Sequence, residues 1–141
     1  MSDTRLARMM HVLVHMQLLG GSETSEVIAS MLNTNPVVVR RTMGLLRDAG
    51  LVSSAGGRSG GWKLARAAET ITMLDVHRAL DGQVVAVGLS RDHAQCPVEQ
   101  SVNHLIGHAM EQAEARFFEE LARVTVAALA QRHTRASAQP G

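Results

Sequence analysis

Residues 33–66 read NTNPVVVRRTMGLLRDAGLVSSAGGRSGGWKLAR, and this stretch decides the fold. Asn35 is a suitable helix N-cap, because its side-chain oxygen can accept a hydrogen bond from a free backbone N–H of the first turn. Pro36 follows at the first helical position, where its missing N–H costs nothing. Gly50 stands where a glycine commonly follows the end of a helix. These signals predict one helix between Pro36 and Gly50.

The two faces of that helix differ in chemistry. Apolar side chains at helical spacing form one stripe, made of Val39, Met43, Leu46 and Ala49. The opposite face carries Val37, Arg40, Arg41, Gly44 and Arg47. Exposed arginines can pair with phosphates or bridge O6 and N7 of guanine in the DNA major groove. A helix that reads DNA and a solvated basic face both remain open on three arginines alone.

A glycine-rich hairpin is predicted directly after the helix. Residues 51–54 and 62–64 are short strand candidates, and the seven residues between them include four glycines, which permit a tight reversal. The segment lacks the G-x-x-x-x-G-K-[ST] pattern and opens no helix at its last glycine, so a phosphate-binding loop of that type is excluded. Arg58 at the tip fits a probe of the minor groove or of the DNA backbone. We therefore interpret the hairpin as a DNA-contacting wing.

Helix and wing together supply the predicted DNA-binding residues. These are Asn35, Pro36, Val37, Arg40, Arg41, Arg47, Arg58 and Lys63. The formal net charge of the chain is only +1, but residues 1–66 carry eight basic and four acidic side chains. Residues 67–141 carry six basic and nine acidic ones. A basic first half and an acidic second half fit a DNA-facing module joined to a second element.

Composition indicates a mainly α-helical protein outside the membrane. The core must consist of aliphatic residues and methionine, because aromatic residues make up 2% of the 141 residues. A single cysteine rules out an internal disulfide framework. We see neither a signal peptide nor an apolar run of about 18 residues, so a cytoplasmic protein without membrane contact is expected.

The order of elements is that of a winged helix-turn-helix. Helices are predicted over 5–19, capped by Thr4, and over 25–32, capped by Thr24. They precede the DNA-reading helix and the wing, and three helices followed by a two-stranded wing is the winged helix-turn-helix order. A fourth helix near residues 72–81 opens with Thr72 and Asp75 in capping-box spacing. The DNA-binding domain is thus placed at residues 1–82.

A long helical segment is predicted from Pro97 to about residue 132. Its apolar stripe comprises Val102, Leu105, Ala109, Ala113, Phe117, Leu121, Val124 and Ala128. Gly107 is expected to divide a short helix from a longer one. A helix that long outruns so small a core, so pairing with a second copy is the favoured way to bury the stripe. We assign residues 83–133 to a sensor loop and dimerisation helices, and residues 134–141 to a disordered tail.

These motifs resemble the Rrf-two family of winged-helix transcription regulators. The resemblance rests on residues 35–41, 45–52, 60–66 and 71–76, and it extends over about residues 5–130. It implies a homodimer that binds a pseudo-palindromic double-stranded operator, and we expect the protein to be a repressor. The third helix would enter the major groove and the wing the adjacent minor groove. The family often has a basic residue early in the wing; that position is Gly56 here, with Arg58 two places later.

The same resemblance raises the question of an iron–sulfur cluster. Members that bind a cluster carry three cysteines before the long helix, whereas this chain has Cys96 alone. Because clusters normally need several thiolates, we expect no cofactor. Cys96 precedes Pro97 at a helix start, where the dipole lowers a thiol pKa, so it is our candidate redox or electrophile sensor; an inert cysteine is the alternative.

Three other functions stay open at this point. His104 and His108 lie four apart, and His93 precedes Cys96 by three residues, so a metal-responsive regulator is one alternative, although a zinc site needs four ligands. A small-ligand-responsive regulator of the same fold is a further alternative. A protein-interaction module that does not bind DNA is the third alternative. No enzyme is expected, since nucleophile-elbow, zinc-protease and dinucleotide motifs are missing.

Overall fold

The protein forms two compact units that are discontinuous in sequence. A computed structural model describes residues 3–55, 60–82 and 87–138. The first unit combines residues 1–82 with residues 122–141, and the second contains residues 83–121. The division falls after residue 82, and the end of the chain belongs with the first unit.

Three helices open the first unit with the predicted bounds. They are α1 (Arg5–Leu19), α2 (Ser25–Leu32) and α3 (Pro36–Asp48). Thr24 and Asn35 cap α2 and α3, because their side chains accept hydrogen bonds from the backbone N–H groups of Val27 and Val38. Thr4 stands at the N-cap of α1 without a side-chain capping bond. Each cap of this kind contributes about 1 kcal/mol, which explains why these helices begin where the sequence indicates.

The wing is a two-stranded antiparallel sheet of β1 (Val52–Ser54) and β2 (Trp62–Leu64). Val52 lies opposite Leu64, and Ser54 lies opposite Trp62. Gly50, at a φ of +79°, makes the left-handed turn that takes the chain from α3 into β1. This conformation favours glycine, so the residue at the end of α3 fixes the direction of the wing.

The end of the chain completes the first unit. A 3-10 turn (Ala68–Thr70) leads into α4 (Met73–Ala79), where Thr72 and Asp75 form the predicted capping box. The last helix, α6 (Val126–Ala138), packs against α1 and against the 3-10 turn. Backbone hydrogen bonds fasten its start to the segment before α4: Met73 N–H to the Val124 carbonyl at 2.8 Å and Val126 N–H to the Ile71 carbonyl at 3.0 Å.

One aliphatic core holds the first unit together. It draws on all its helices and both strands, and its most deeply buried large side chains are Val12, Leu13, Ile28, Val39, Met43, Leu46, Leu51, Val52, Ile71, Val76 and Val126. One residue of the predicted apolar stripe of α3 does not face the core. Ala49 is exposed, because it is the C-cap residue that follows the last helical residue, Asp48.

The second unit contains one long helix, α5 (Pro97–Ala122). The predicted break at Gly107 is wrong, because α5 continues through it; one helix-interior glycine costs only about 1 kcal/mol. The chain instead leaves the helix at residues 123–125, before α6. Val124 and Ala128 of the predicted stripe consequently lie outside α5.

The loop before α5 folds back onto the first turns of that helix. Glu99 accepts hydrogen bonds from the His93 N–H at 2.9 Å and the Ser90 hydroxyl at 3.1 Å. Asn103 makes a reciprocal pair with the Ser90 backbone, at 3.1 and 2.8 Å. These bonds order the segment around Cys96.

The helix α6 also alters the expectation for the end of the chain. Helical backbone reaches Ala138, so a disordered tail does not begin at Thr134. Arg58, at the predicted wing tip, lies outside the described residues, as do residues 83–86 of the predicted sensor loop. Among the described residues, no helix is both long and apolar enough to cross a membrane.

Candidate nucleic-acid interface

The face of α3 opposite the core is basic and open. Its stripe of Val39, Met43 and Leu46 is buried, which turns the other side of the helix outward. The side chains of Arg40, Arg41 and Arg47 are all exposed, and Val37 is 57% exposed. The sequence-predicted helix residues are therefore brought together on one surface.

The N-terminus of α3 is shaped by two of the predicted contact residues. The Asn35 side-chain oxygen accepts from the Val38 N–H at 3.1 Å, so that oxygen serves as a cap. This bond fixes the orientation of the Asn35 side chain, and Pro36 occupies the first helical turn. The backbone dipole at such a terminus favours anions such as phosphate.

Arg40 is held by a residue that sequence analysis did not single out. Its guanidinium lies 3.7 Å from a carboxylate oxygen of Glu26, in the first turn of α2. Both side chains are more than half exposed, so this pair contributes little to stability. A solvated pair of this kind can exchange its carboxylate for a phosphate, which leaves Arg40 available to a polyanion.

Arg47 lies between the helix and the wing. Its guanidinium carbon stands 6.0 Å from the centre of the Trp62 ring, and its Nη2 lies 3.4 Å from the Asp48 carboxylate. Guanidinium groups over an aromatic face gain about 0.5–1 kcal/mol at exposed sites. Arg47 is thus positioned by β2 as well as by its own helix.

The base of the wing is pinned to the connection between α1 and α2. Glu23 and Trp62 exchange two backbone hydrogen bonds, at 2.9 and 2.7 Å. A Cβ at Gly61 would lie 2.8 Å from the Glu23 carbonyl oxygen, so only glycine allows this approach. The Trp62 indole N–H also donates to Ser25 Oγ at 2.9 Å in a buried contact. The wing therefore has a fixed root beside the arginine face of α3.

Lys63 is the remaining predicted contact on the described part of the wing. It is exposed on β2, opposite Ser53 of β1. Because strand neighbours alternate between faces, Lys63 points away from the side on which Trp62 is buried. It adds a cation to the outer surface of the hairpin.

Cys96 lies at the start of α5, in the second unit. The thiol is partly exposed, and its backbone N–H donates to the His93 carbonyl at 2.8 Å. Hydrogen bonds from the backbone amides of Glu99 and then Val98 lower the pKa of the Cys96 thiol. Helix-start amides therefore favour the thiolate, which is the reactive form.

Sequence reasoning did not find Glu26, Ser25 or Glu23 as parts of this surface. The contact of Trp62 with Ser25 joins residues 37 positions apart, and no local pattern indicates it. The glycine pair at 60–61 was the only available signal, since a glycine before a strand can indicate close backbone approach.

Three helices, a pinned two-stranded wing and an arginine-bearing third helix define a winged helix-turn-helix protein. The sequence matches the Rrf2 family, described as iron-dependent transcriptional regulators, over residues 2–132. The chain therefore belongs to this family of transcriptional regulators, which confirms the predicted family and fold class. Its members and the relatives below are regulators of transcription rather than enzymes.

Several individual proteins are similar to this chain. YwnA of Bacillus subtilis (strain 168), provisionally described as an HTH-type transcriptional regulator, is 33% identical over 125 residues, covering 86% of this chain and 91% of YwnA. A crystal structure provisionally described as a DNA-binding protein is 30% identical, with a TM-score of 0.72, and covers 89% of this chain and 97% of its own. CymR of B. subtilis, the global cysteine regulator, shares the fold at 23% identity and a TM-score of 0.64, over 94% and 96% of the two chains.

The residues present do not fit the iron implied by the family description. The chain has one cysteine, whereas clusters are normally held by several thiolates. In residues 3–55, 60–82 and 87–138, no group of three or more His, Cys, Asp or Glu side chains could hold a metal ion. His93, His104 and His108 thus do not combine with Cys96 into a ligand set within one chain.

Proposed function

We propose that this chain is a homodimeric repressor that binds a pseudo-palindromic DNA operator. The observation that carries the proposal is the exposure of Arg40, Arg41 and Arg47 on one face of α3, beside a wing fixed at its root. The family contains DNA-binding regulators, and the similarity to YwnA extends over most of both chains.

In this proposal α3 enters the major groove. Its 13 residues span about 20 Å, enough to lie across the groove. Arg40 and Arg41 contact bases or phosphates, while Asn35 and Pro36 bring the helix N-terminus to the backbone. The wing, with Lys63 and Arg58, follows the backbone toward the adjacent minor groove.

The long helix α5 supplies the proposed dimer contact. Along its 26 residues, Leu121 is the sole described side chain that is buried. Val98, Val102 and Leu105 are 70%, 48% and 67% exposed and recur at helical spacing. We propose that a second copy buries this stripe; two half-sites one turn of DNA apart require the two α3 helices of such a dimer to lie about 34 Å apart.

Cys96 is the proposed switch, through oxidation or electrophile addition. When the thiolate attacks hydrogen peroxide, an S–O bond forms as the O–O bond breaks, which gives the sulfenic acid. The second oxygen leaves as hydroxide, which gains a proton to form water. The product is larger and carries a different charge at the start of the proposed dimer helix, and would change the spacing of the two α3 helices.

Fluorescence-anisotropy titration with DNA from upstream of the coding sequence tests the DNA-binding proposal. The Arg40→Ala/Arg41→Ala variant should lose roughly 100-fold in affinity, since each arginine contributes about 1–3 kcal/mol. Its affinity should also depend less steeply on salt, because fewer counterions are released. An Arg91→Ala/Arg132→Ala variant removes the same charge outside α3, the wing and α5, and should bind like the parent.

Equal binding by both double variants, with circular dichroism showing intact helices, would overturn the assignment of α3. The Cys96 switch is tested separately by comparing reduced and peroxide-treated protein with Cys96→Ser. A response of about tenfold, or 1.4 kcal/mol, that the serine variant lacks supports it, whereas equal binding in every state contradicts it.

A further inference from the structure

A groove lies between α1 and α6, away from the arginine face. Both helices belong to the first unit, and the groove encloses about 360 Å³. Its walls include Met10 and Val14 from α1 and Leu129 from α6. This volume lies within the range of about 300–1,000 Å³ that small-molecule sites occupy.

Three imidazoles line the same groove. His11 and His15 lie one turn apart on α1, with ring centroids 4.8 Å apart in an edge-to-face arrangement, and His133 stands on α6. No acidic side chain is among the residues that line the groove. An imidazole donates a hydrogen bond in its neutral form and donates two when it is protonated and positively charged.

We propose that this groove binds a small organic anion with an apolar body, such as an aromatic or aliphatic carboxylate. The aliphatic walls accept the body, and the three histidines donate to the anionic group without a competing carboxylate. A metal ion is a poorer occupant, because no set of three metal-ligating side chains is arranged for one among the described residues.

A ligand bound in the groove would affect the DNA-binding surface through α1. This helix also packs against α2 and β2, the elements that carry the partner of Arg40 and the root of the wing. A ligand that fixes α1 against α6 would therefore act on the wing and α2. This regulatory part rests on the proposed function above, whereas ligand binding itself does not.

Two fluorescent probes of nearly the same shape test the site. 8-Anilinonaphthalene-1-sulfonate carries an anionic group, and N-phenyl-1-naphthylamine is its neutral analogue. We expect one anionic probe to bind per chain, at least about tenfold more tightly than the neutral probe, because hydrogen bonds to a charged group contribute about 1.5–3 kcal/mol. The His11→Ala/His15→Ala variant should lose this preference and keep its affinity for the neutral probe.

A groove-filling variant identifies where the probes bind. Ala7 is exposed on α1 and lines the groove, so Ala7→Trp should abolish binding of both probes. Ala128→Trp places the same bulk on an exposed position of α6 that does not line the groove, and should leave binding unchanged. Decanoate, an aliphatic carboxylate, should displace the anionic probe from the parent protein.

Several outcomes would overturn the proposal. Ala7→Trp could bind both probes as the parent does, or the histidine variant could retain the anionic preference. Binding that appears only on dilution to monomer would mean that a second copy occupies the groove. These readouts need no DNA, so they remain interpretable even if the operator titrations fail.

Discussion

The indole N–H of Trp62 donates to Ser25 Oγ at 2.9 Å, and this buried bond connects the wing to the first residue of α2. Both partners are largely shielded from water, at 7% and 8% exposure. A buried donor whose acceptor is removed loses its hydrogen bond without gaining one to water. We therefore expect substitutions of Trp62 and Ser25 to have coupled effects on the free energy of unfolding.

A double-mutant cycle measures this coupling. Ser25→Ala and Trp62→Phe should each lower the free energy of unfolding by about 1–3 kcal/mol. The double variant should lose less than the sum, because each change already removes the same bond. Urea titration of the four proteins provides the comparison, and strict additivity would show that the bond contributes nothing to stability.

Gly61→Ala should destabilise the fold by about 1–3 kcal/mol, because the added Cβ would meet the Glu23 carbonyl and force the backbone apart. Gly21→Ala is the matched control, since a Cβ at Gly21 has no neighbour within 4 Å. Thermal unfolding of both variants tests the prediction. Equal melting temperatures would mean that the wing root tolerates displacement.

Gly44→Ala should separate stability from DNA affinity. A Cβ at Gly44 would contact only the Arg47 Nη2, at 3.6 Å, so nothing within the described chain requires glycine there. The change should therefore stabilise α3 by about 1 kcal/mol. We expect operator affinity nonetheless to fall several-fold, because the methyl group faces the proposed DNA surface. Unchanged affinity by anisotropy would show that DNA does not approach this backbone closely.

Leu105→Glu should convert the proposed dimer into a monomer. A charge in the exposed stripe of α5 would be buried without a partner on association. Light scattering should give twice the 15.1 kDa of one chain for the parent and a single chain for the variant. Ala115→Glu adds the same charge at an exposed position of α5 outside the stripe and should stay dimeric if the stripe is the contact.

The pH dependence of Cys96 alkylation should follow its lowered pKa. Amides at the start of α5 favour the thiolate, so the reaction with iodoacetamide should reach half its maximal rate at a lower pH than for N-acetylcysteine amide. Unfolding in urea removes the helix start and should return the midpoint to that of the free thiol. Coincident midpoints in the folded and unfolded protein would contradict this account.

Local signals predicted the first half of the fold well. The Thr24 cap and the Asn35-Pro36 pair determine helix starts through bonds within three residues, and such bonds can be inferred from sequence spacing. The arginine face of α3 follows from the period of its buried stripe. The family match confirms the winged-helix assignment, while the individual DNA contacts stay predictions.

The remaining features depend on contacts between distant residues. The helix α5 ends at residues 123–125, whose backbone pairs with residues 71–73. Neither segment contains a proline or a glycine, so local sequence favours Gly107 as the helix end. The ion pair between Glu26 and Arg40 and the groove lined by imidazoles likewise each form between two helices. Periodicity within one helix cannot indicate which side chains of another helix face it.

The fastening of α6 to residues 71–73 has a consequence for synthesis of the protein. The first unit draws on both sides of residues 83–121 in the sequence, so its α1 surface has no α6 to cover it until the ribosome has added residues 126–138. At about 5–20 residues per second, the winged helix waits several seconds in this state. A nascent chain arrested at residue 121 should therefore be digested by protease within α1 more readily than the finished protein.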